Sequence, residues 1–84
     1  MAPQNLPTRR GFNVIGRRIR LARERLKPEV TQADLAARLG VLGLELDRPT
    51  ITRIEAGKRF LRDYEIKAIA KVLKVPIEWL FADE

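Results

Sequence analysis

Val30-Thr31-Gln32-Ala33-Asp34-Leu35-Ala36-Ala37-Arg38-Leu39-Gly40 and Leu46-Asp47-Arg48-Pro49-Thr50-Ile51-Thr52-Arg53-Ile54-Glu55-Ala56-Gly57 are the two stretches whose reading decides the fold. In the first, Thr31 is a helix-capping residue, Asp34 follows three positions later as an acidic capping-box partner, and Val30 is placed to staple onto Leu35. The second repeats the pattern. Asp47 is the cap, Pro49 is tolerated in the first turn, and Leu46 is the staple for Ile51. The spacing predicts a helix over 48–56 that stops at Gly57, the residue type that most easily takes the left-handed conformation past a helix end.

Working outward, Phe12, Ile15, Ile19, Ala22 and Leu26 recur at helical spacing and predict an amphipathic helix that begins at Phe12 and is ended by Pro28. On the other side, Asp63 is the expected cap of a helix carrying Ile66, Ile69, Ala70 and Leu73, broken by Val75 and Pro76. Pro76 then suits the first turn of a short last helix bearing Ile77, Trp79, Leu80 and Phe81. No segment alternates as a strand would, so the expected fold is all-α, a compact bundle of five short helices. Met1 to Arg10 contains Pro3 and Pro7 and few apolar residues, too little burial to order itself. The expected division is a flexible basic arm over 1–11 and one domain over 12–84.

A chain of 84 residues allows one domain with a small core. It contains no Cys, no His and no Ser. That removes disulfides, thiolate and imidazole metal sites, and Ser/His/Asp or Cys/His triads. A non-enzyme without metal or cofactor is expected. The net charge of +6 points to an anionic partner, and its distribution is uneven. Residues 1–26 hold seven Arg and one Glu, residues 27–84 hold ten basic and ten acidic groups, and within the latter 47–62 has five basic against two acidic. Nucleic acid is the commonest partner of such clustering, with an anionic membrane surface as its competitor. No run approaches the roughly 18 apolar residues that span a bilayer, and Met1 to Pro7 has no apolar signal core, so a cytoplasmic, nucleoid-associated protein is expected. Gly11 and Gly16-Arg17-Arg18 have the glycine spacing of a phosphate loop but lack the Lys-Ser/Thr that should follow, a weak nucleotide signal.

Two capped helices in succession, the second rich in Arg and Thr near its start, fit a helix-turn-helix. The run 31–40, followed by Thr50-Ile51-Thr52-Arg53-Ile54-Glu55-Ala56-Gly57-Lys58-Arg59, resembles the phage repressor and Cro (XRE-type) family of helix-turn-helix regulators. Ile15 to Arg25 looks like the family's first helix, and Ile69-Ala70-Lys71 through Val75 to Leu80-Phe81 like its last two. The resemblance, over about residues 13–82, implies a lambda-repressor-like fold and a sequence-specific transcriptional regulator bound to the inverted repeats of double-stranded DNA. A recognition helix enters the major groove by its N-terminal turns, which here present Arg48, Pro49, Thr52 and Arg53. Either Arg suits the guanine O6 and N7 acceptors or a phosphate, and a Thr methyl or the Pro49 ring suits a thymine methyl. Gln32 and Thr50, at or near helix starts, suit phosphate, and Gln32 matches a family position that often contacts DNA. Lys58, Arg59 and Arg62 read as backbone clamps, with a minor-groove contact open to one Arg. Arg23 and Glu55 each flank an apolar stripe. By resemblance they form a structural ion pair joining the first helix to the recognition helix.

This chain departs from the family where it takes eight residues, Leu42 to Pro49, to pass between the two helices. Either helix two ends at Gly40 before a long loop, or it continues to Leu42 with Gly43 as left-handed terminator and Leu44 folding back on Leu39. Lys74 replaces the Gly that commonly ends helix four. A weak homodimer formed mainly on DNA is expected, with Ile77, Trp79 and Phe81 as its surface, although Trp79 is better suited to a partly buried core role in so small a domain. With no effector domain in the sequence, control is expected from abundance, competition or a regulatory partner protein. The reading from another class is a protein-interaction module, an antitoxin-like or accessory subunit.

Overall fold

At Thr31 the hydroxyl accepts the Asp34 N–H at 3.0 Å while the Asp34 carboxylate accepts the Thr31 N–H at 3.1 Å. This reciprocal box opens a helix over Gln32–Val41. Asp47 opens the next, Arg48–Glu55, by accepting the Thr50 N–H at 3.0 Å, with Pro49 in the first turn where its missing donor is not needed. The computed structural model describes residues 11–82. Its elements are α1 Gly16–Arg25, α2 Gln32–Val41, α3 Arg48–Glu55, α4 Asp63–Leu73 and α5 Ile77–Leu80, and no strand occurs among the described residues. The expected arm, Gly11 apart, lies outside them.

The connection between α2 and α3 follows the longer-helix path. Leu42 is the C-cap, Gly43 takes a φ of 87°, the Gly43 N–H donates to the Gly40 carbonyl and the Leu44 N–H to the Leu39 carbonyl, both at 2.9 Å. That is a Schellman cap, and Leu44 completes it by packing against the core. Leu46 is buried and delivers the chain to Asp47. The same cap closes α3, with the Gly57 N–H on the Ile54 carbonyl and the Lys58 N–H on the Arg53 carbonyl. It also closes α4, where Lys74 takes the left-handed position, φ 62°, in place of glycine.

The core joins Ile15, Ile19 and Ala22 to Leu35, Leu39, Ile51 and Ile54, and is closed from the other side by Ile69, Leu73 and Leu80. The helix starts differ from expectation at three points. α1 begins at Gly16, not Phe12, because the Asn13 carbonyl Oδ1 accepts the N–H groups of Ile15 and Gly16 at 3.0 and 2.8 Å and starts the helix there. Phe12 sits outside the helix, about half exposed, with its ring edge-on to Phe60 at 4.9 Å. Asp63 does not cap α4 but is its first residue. Arg62 precedes the helix, and the Glu65 carboxylate reaches back to accept the Arg62 N–H at 2.9 Å. Pro76 stands one residue before α5, in extended conformation. Gly16 has a packing role instead of the phosphate-loop one. A Cβ there would collide with the Ile54 carbonyl oxygen and stand 2.7 Å from that of Glu55, so α1 starts against the end of α3 only because this residue has no side chain.

Two glycines three positions apart should respond oppositely to the same change. Gly40 is inside α2 with open space at its Cβ position, so Gly40→Ala is expected to stabilise by about 1 kcal/mol, whereas Gly43→Ala, at positive φ, should cost about 1 kcal/mol. Urea unfolding of the two variants measures both signs.

Candidate nucleic-acid interface

Ile51 and Ile54 are buried, which leaves Arg48, Pro49, Thr52 and Arg53 on the exposed side of α3 and Thr50 half-buried beside the cap. What orients that face is a fork. Arg23 Nε and Nη2 donate to the two carboxylate oxygens of Glu55 at 2.8 and 2.9 Å, with side-chain exposures of only 8% and 5%. The remaining Nη1 donates to the Val30 carbonyl at 3.1 Å, so one guanidinium joins α1, the approach to α2 and the end of α3. Hydrogen bonding to Glu55 raises the Arg23 pKa further above its ordinary value.

Gln32 extends this network into the exposed face. Its Nε2 donates to Glu55 Oε1 at 3.1 Å, and its Oε1 accepts the Thr52 hydroxyl at 2.9 Å. The Thr52 hydroxyl has the Arg48 carbonyl, at 3.1 Å, as its other acceptor. Both ends of the Gln32 amide are thus engaged within the protein, and Thr52 keeps its methyl group and oxygen lone pairs for outside contacts. Arg48 and Arg53, with Lys58 and Arg62 beyond α3, are exposed and make no side-chain ion pair or hydrogen bond among the described residues.

Arg59 is placed differently from its neighbours. Its two terminal nitrogens donate to the Glu65 oxygens at 3.0 and 3.2 Å, and Nη1 also to the Phe60 carbonyl at 2.9 Å. This guanidinium, half-buried, braces the 57–62 loop against Glu65. Burial pushes the Glu65 carboxyl up, but hydrogen bonds from Arg59 and the Arg62 N–H outweigh it and hold the group below the usual carboxylate range. Asp47 is held low too, by its hydrogen bonds with Thr50.

Asn13 and Glu65 were not singled out from the sequence. Besides accepting the Ile15 and Gly16 N–H groups, Asn13 donates Nδ2 to the carbonyls of Ile54 and Arg59 at 3.1 and 2.9 Å, and the Phe12 N–H donates to the Gly57 carbonyl at 2.8 Å. The segment before α1 is thereby tied to both sides of the turn that ends α3. A capping-type residue three before Gly16, and an acid three after Arg62, were the available signals. No group of His, Cys, Asp or Glu among the described residues is arranged to hold a metal. No helix among them is long and apolar enough to cross a membrane.

Removing Glu55 leaves the buried Arg23 with only the exposed Glu29, 4.0 Å from Nη1, as a counter-charge. Glu55→Ala is therefore expected to cost about 3 kcal/mol and lower Tm by more than about 10 °C, while Arg53→Ala leaves Tm in place. Equal melting of Glu55→Ala and wild type would remove the fork from its central role. The depressed Glu65 carboxyl stabilises the fold fully above its unfolded pKa of about 4, and that contribution disappears as pH falls through the lower folded value. Glu65→Gln should lose about 1–2 kcal/mol at pH 7 and show a shallower decline in acid, read from thermal melts between pH 7 and pH 2.

A family model described as helix-turn-helix matches residues 19–80, well over half of the chain. Comparison with curated proteins and with solved structures gives no match. With α2 and α3 forming the motif inside the matched span, the chain belongs to the helix-turn-helix family of DNA-binding regulators that includes the phage repressors and Cro.

Proposed function

We propose that this protein is a sequence-specific transcriptional regulator of the repressor or Cro kind that places α3 in the major groove of an inverted-repeat operator. The observation that carries the reading is the contrast along one short helix: Ile51, Ile54 and Glu55 are locked inward, while Arg48 and Arg53 project no bond to any described protein group. Cations held on a rigid support and without an ion pair or hydrogen bond to a described residue suit guanine edges or phosphates. Pro49 and the Thr52 methyl suit thymine methyls. Thr50 and Gln32 stand at the starts of α3 and α2, where phosphates are received. Lys58 and Arg62 clamp the backbone, and Arg59 serves them by bracing their loop against Glu65.

A weak homodimer forming mainly on DNA fits the exposure of Ile77 and Phe81, whereas Trp79 is half-buried against the edge of the core. Cytoplasmic location on the nucleoid and control by a regulatory partner protein complete the reading.

Selection of bound sites from random duplex DNA tests it. An enriched inverted repeat is expected, and recovery without any motif overturns sequence specificity. On the selected site, Arg53→Ala should relax preference at one or two base positions. Lys58→Ala should instead weaken all sequences alike and reduce the salt dependence by about one phosphate. A uniform loss in Arg53→Ala would remove its base-reading role.

A further inference from the structure

On the side of the bundle built by α1, α4 and α5, Ala22, Leu26, Leu73 and Trp79 line a surface groove of about 220 Å³ whose rim carries Arg25 and Lys74. No residue of α2 or α3 enters it. The Trp79 ring lies under the Arg18 guanidinium, 3.8 Å from its centroid, and Arg25 stands 5.5 Å from the same ring. Arg18 is fixed there by donating Nε to the Trp79 carbonyl at 3.1 Å. Among the described residues, neither Arg25 nor Lys74 has a carboxylate within ion-pair distance.

We propose that this groove docks an acidic segment of a partner protein, one apolar side chain entering the groove and flanking carboxylates meeting Arg25 and Lys74. The volume lies below the about 300–1,000 Å³ of small-molecule pockets and suits a single large side chain. The rim is cationic and, among the described residues, no acidic one lines the site, so the complementary charge is negative. Nucleic acid fits less well, because Arg18 covers a face of the Trp79 ring on which a base would stack. Since the recognition helix takes no part, the groove and the DNA-binding face can be filled together.

Trp79 is the single tryptophan of the chain and reports the groove directly by fluorescence. The probe is a capped pentapeptide with leucine between two pairs of aspartates. A saturable change in Trp79 emission is expected. Replacing the leucine by glycine, or making Arg25→Glu with Lys74→Glu in a protein that keeps its helical circular dichroism, should weaken it about tenfold or more. Arg53→Ala should leave the titration unchanged. The proposal is overturned by no saturable response, by equal binding of the glycine peptide, by indifference to the double charge reversal, or by loss in Arg53→Ala. It is likewise overturned if oligo-deoxythymidylate produces the same response with the same loss in the double variant.

Discussion

The bidentate ion pair between Arg23 and Glu55 is the constraint on which the rest of the structure depends. α3 is an eight-residue helix, well below the roughly 12–15 residues at which a helix in water begins to hold itself, so its position comes from tertiary contacts. Ile51 and Ile54 supply apolar attachment, but apolar contact alone tolerates rotation and sliding. A planar guanidinium gripping both oxygens of a carboxylate does not, because a small rotation breaks two charge-assisted bonds at once. Burying these charges carries a desolvation penalty, offset here because each guanidinium nitrogen has an acceptor: Nη1 finds the Val30 carbonyl, and no buried side-chain nitrogen or oxygen among the described residues lacks a partner.

The same principle divides the positive charge of the chain. Arg23 and Arg59 are held by Glu55 and Glu65, Arg18 lies over Trp79, and Arg20 pairs with Glu24 one turn along α1. Arg48, Arg53, Lys58 and Arg62 have no such attachment among the described residues. The formal +6 is therefore a poor count of what is offered to an anion. Two of the best-placed arginines serve to hold the helix and the loop that present the others. Gln32 carries this one step further, transmitting the position of Glu55 to the hydroxyl of Thr52 through its own amide.

Much of the architecture was legible because it rests on local rules. The Thr31–Asp34 box, the Asp47 cap and the glycine terminators involve residues three to five apart, whose geometry follows once a helix is granted. The Arg23–Glu55 pairing was legible only through family resemblance, since nothing in the spacing of residues 32 apart relates them. Reading α1 from Phe12 failed for an instructive reason. The apolar period continues through Phe12, but period registers burial and is blind to a side-chain amide that starts the helix later. Asp63 misled in the opposite way, being a good capping residue beside a better arrangement, in which Glu65 reaches back to the Arg62 N–H while also holding Arg59.

The sequence by itself determined five helices, the caps at Thr31 and Asp47, the inward stripes and the cationic stretch around α3. Each of these depends on side chains acting on backbone within one or two turns. Only the tertiary structure decided that Asn13 ties the start of α1 to carbonyls 41 and 46 residues away, that Arg59 faces inward while Lys58 and Arg62 do not, and that Gln32 is engaged at both ends. A hydrogen-bonding side chain has several partners of comparable strength open to it, water included, and the choice among them is made by packing. Burial removes the water, and whichever group the fold has brought within 3 Å then becomes the partner.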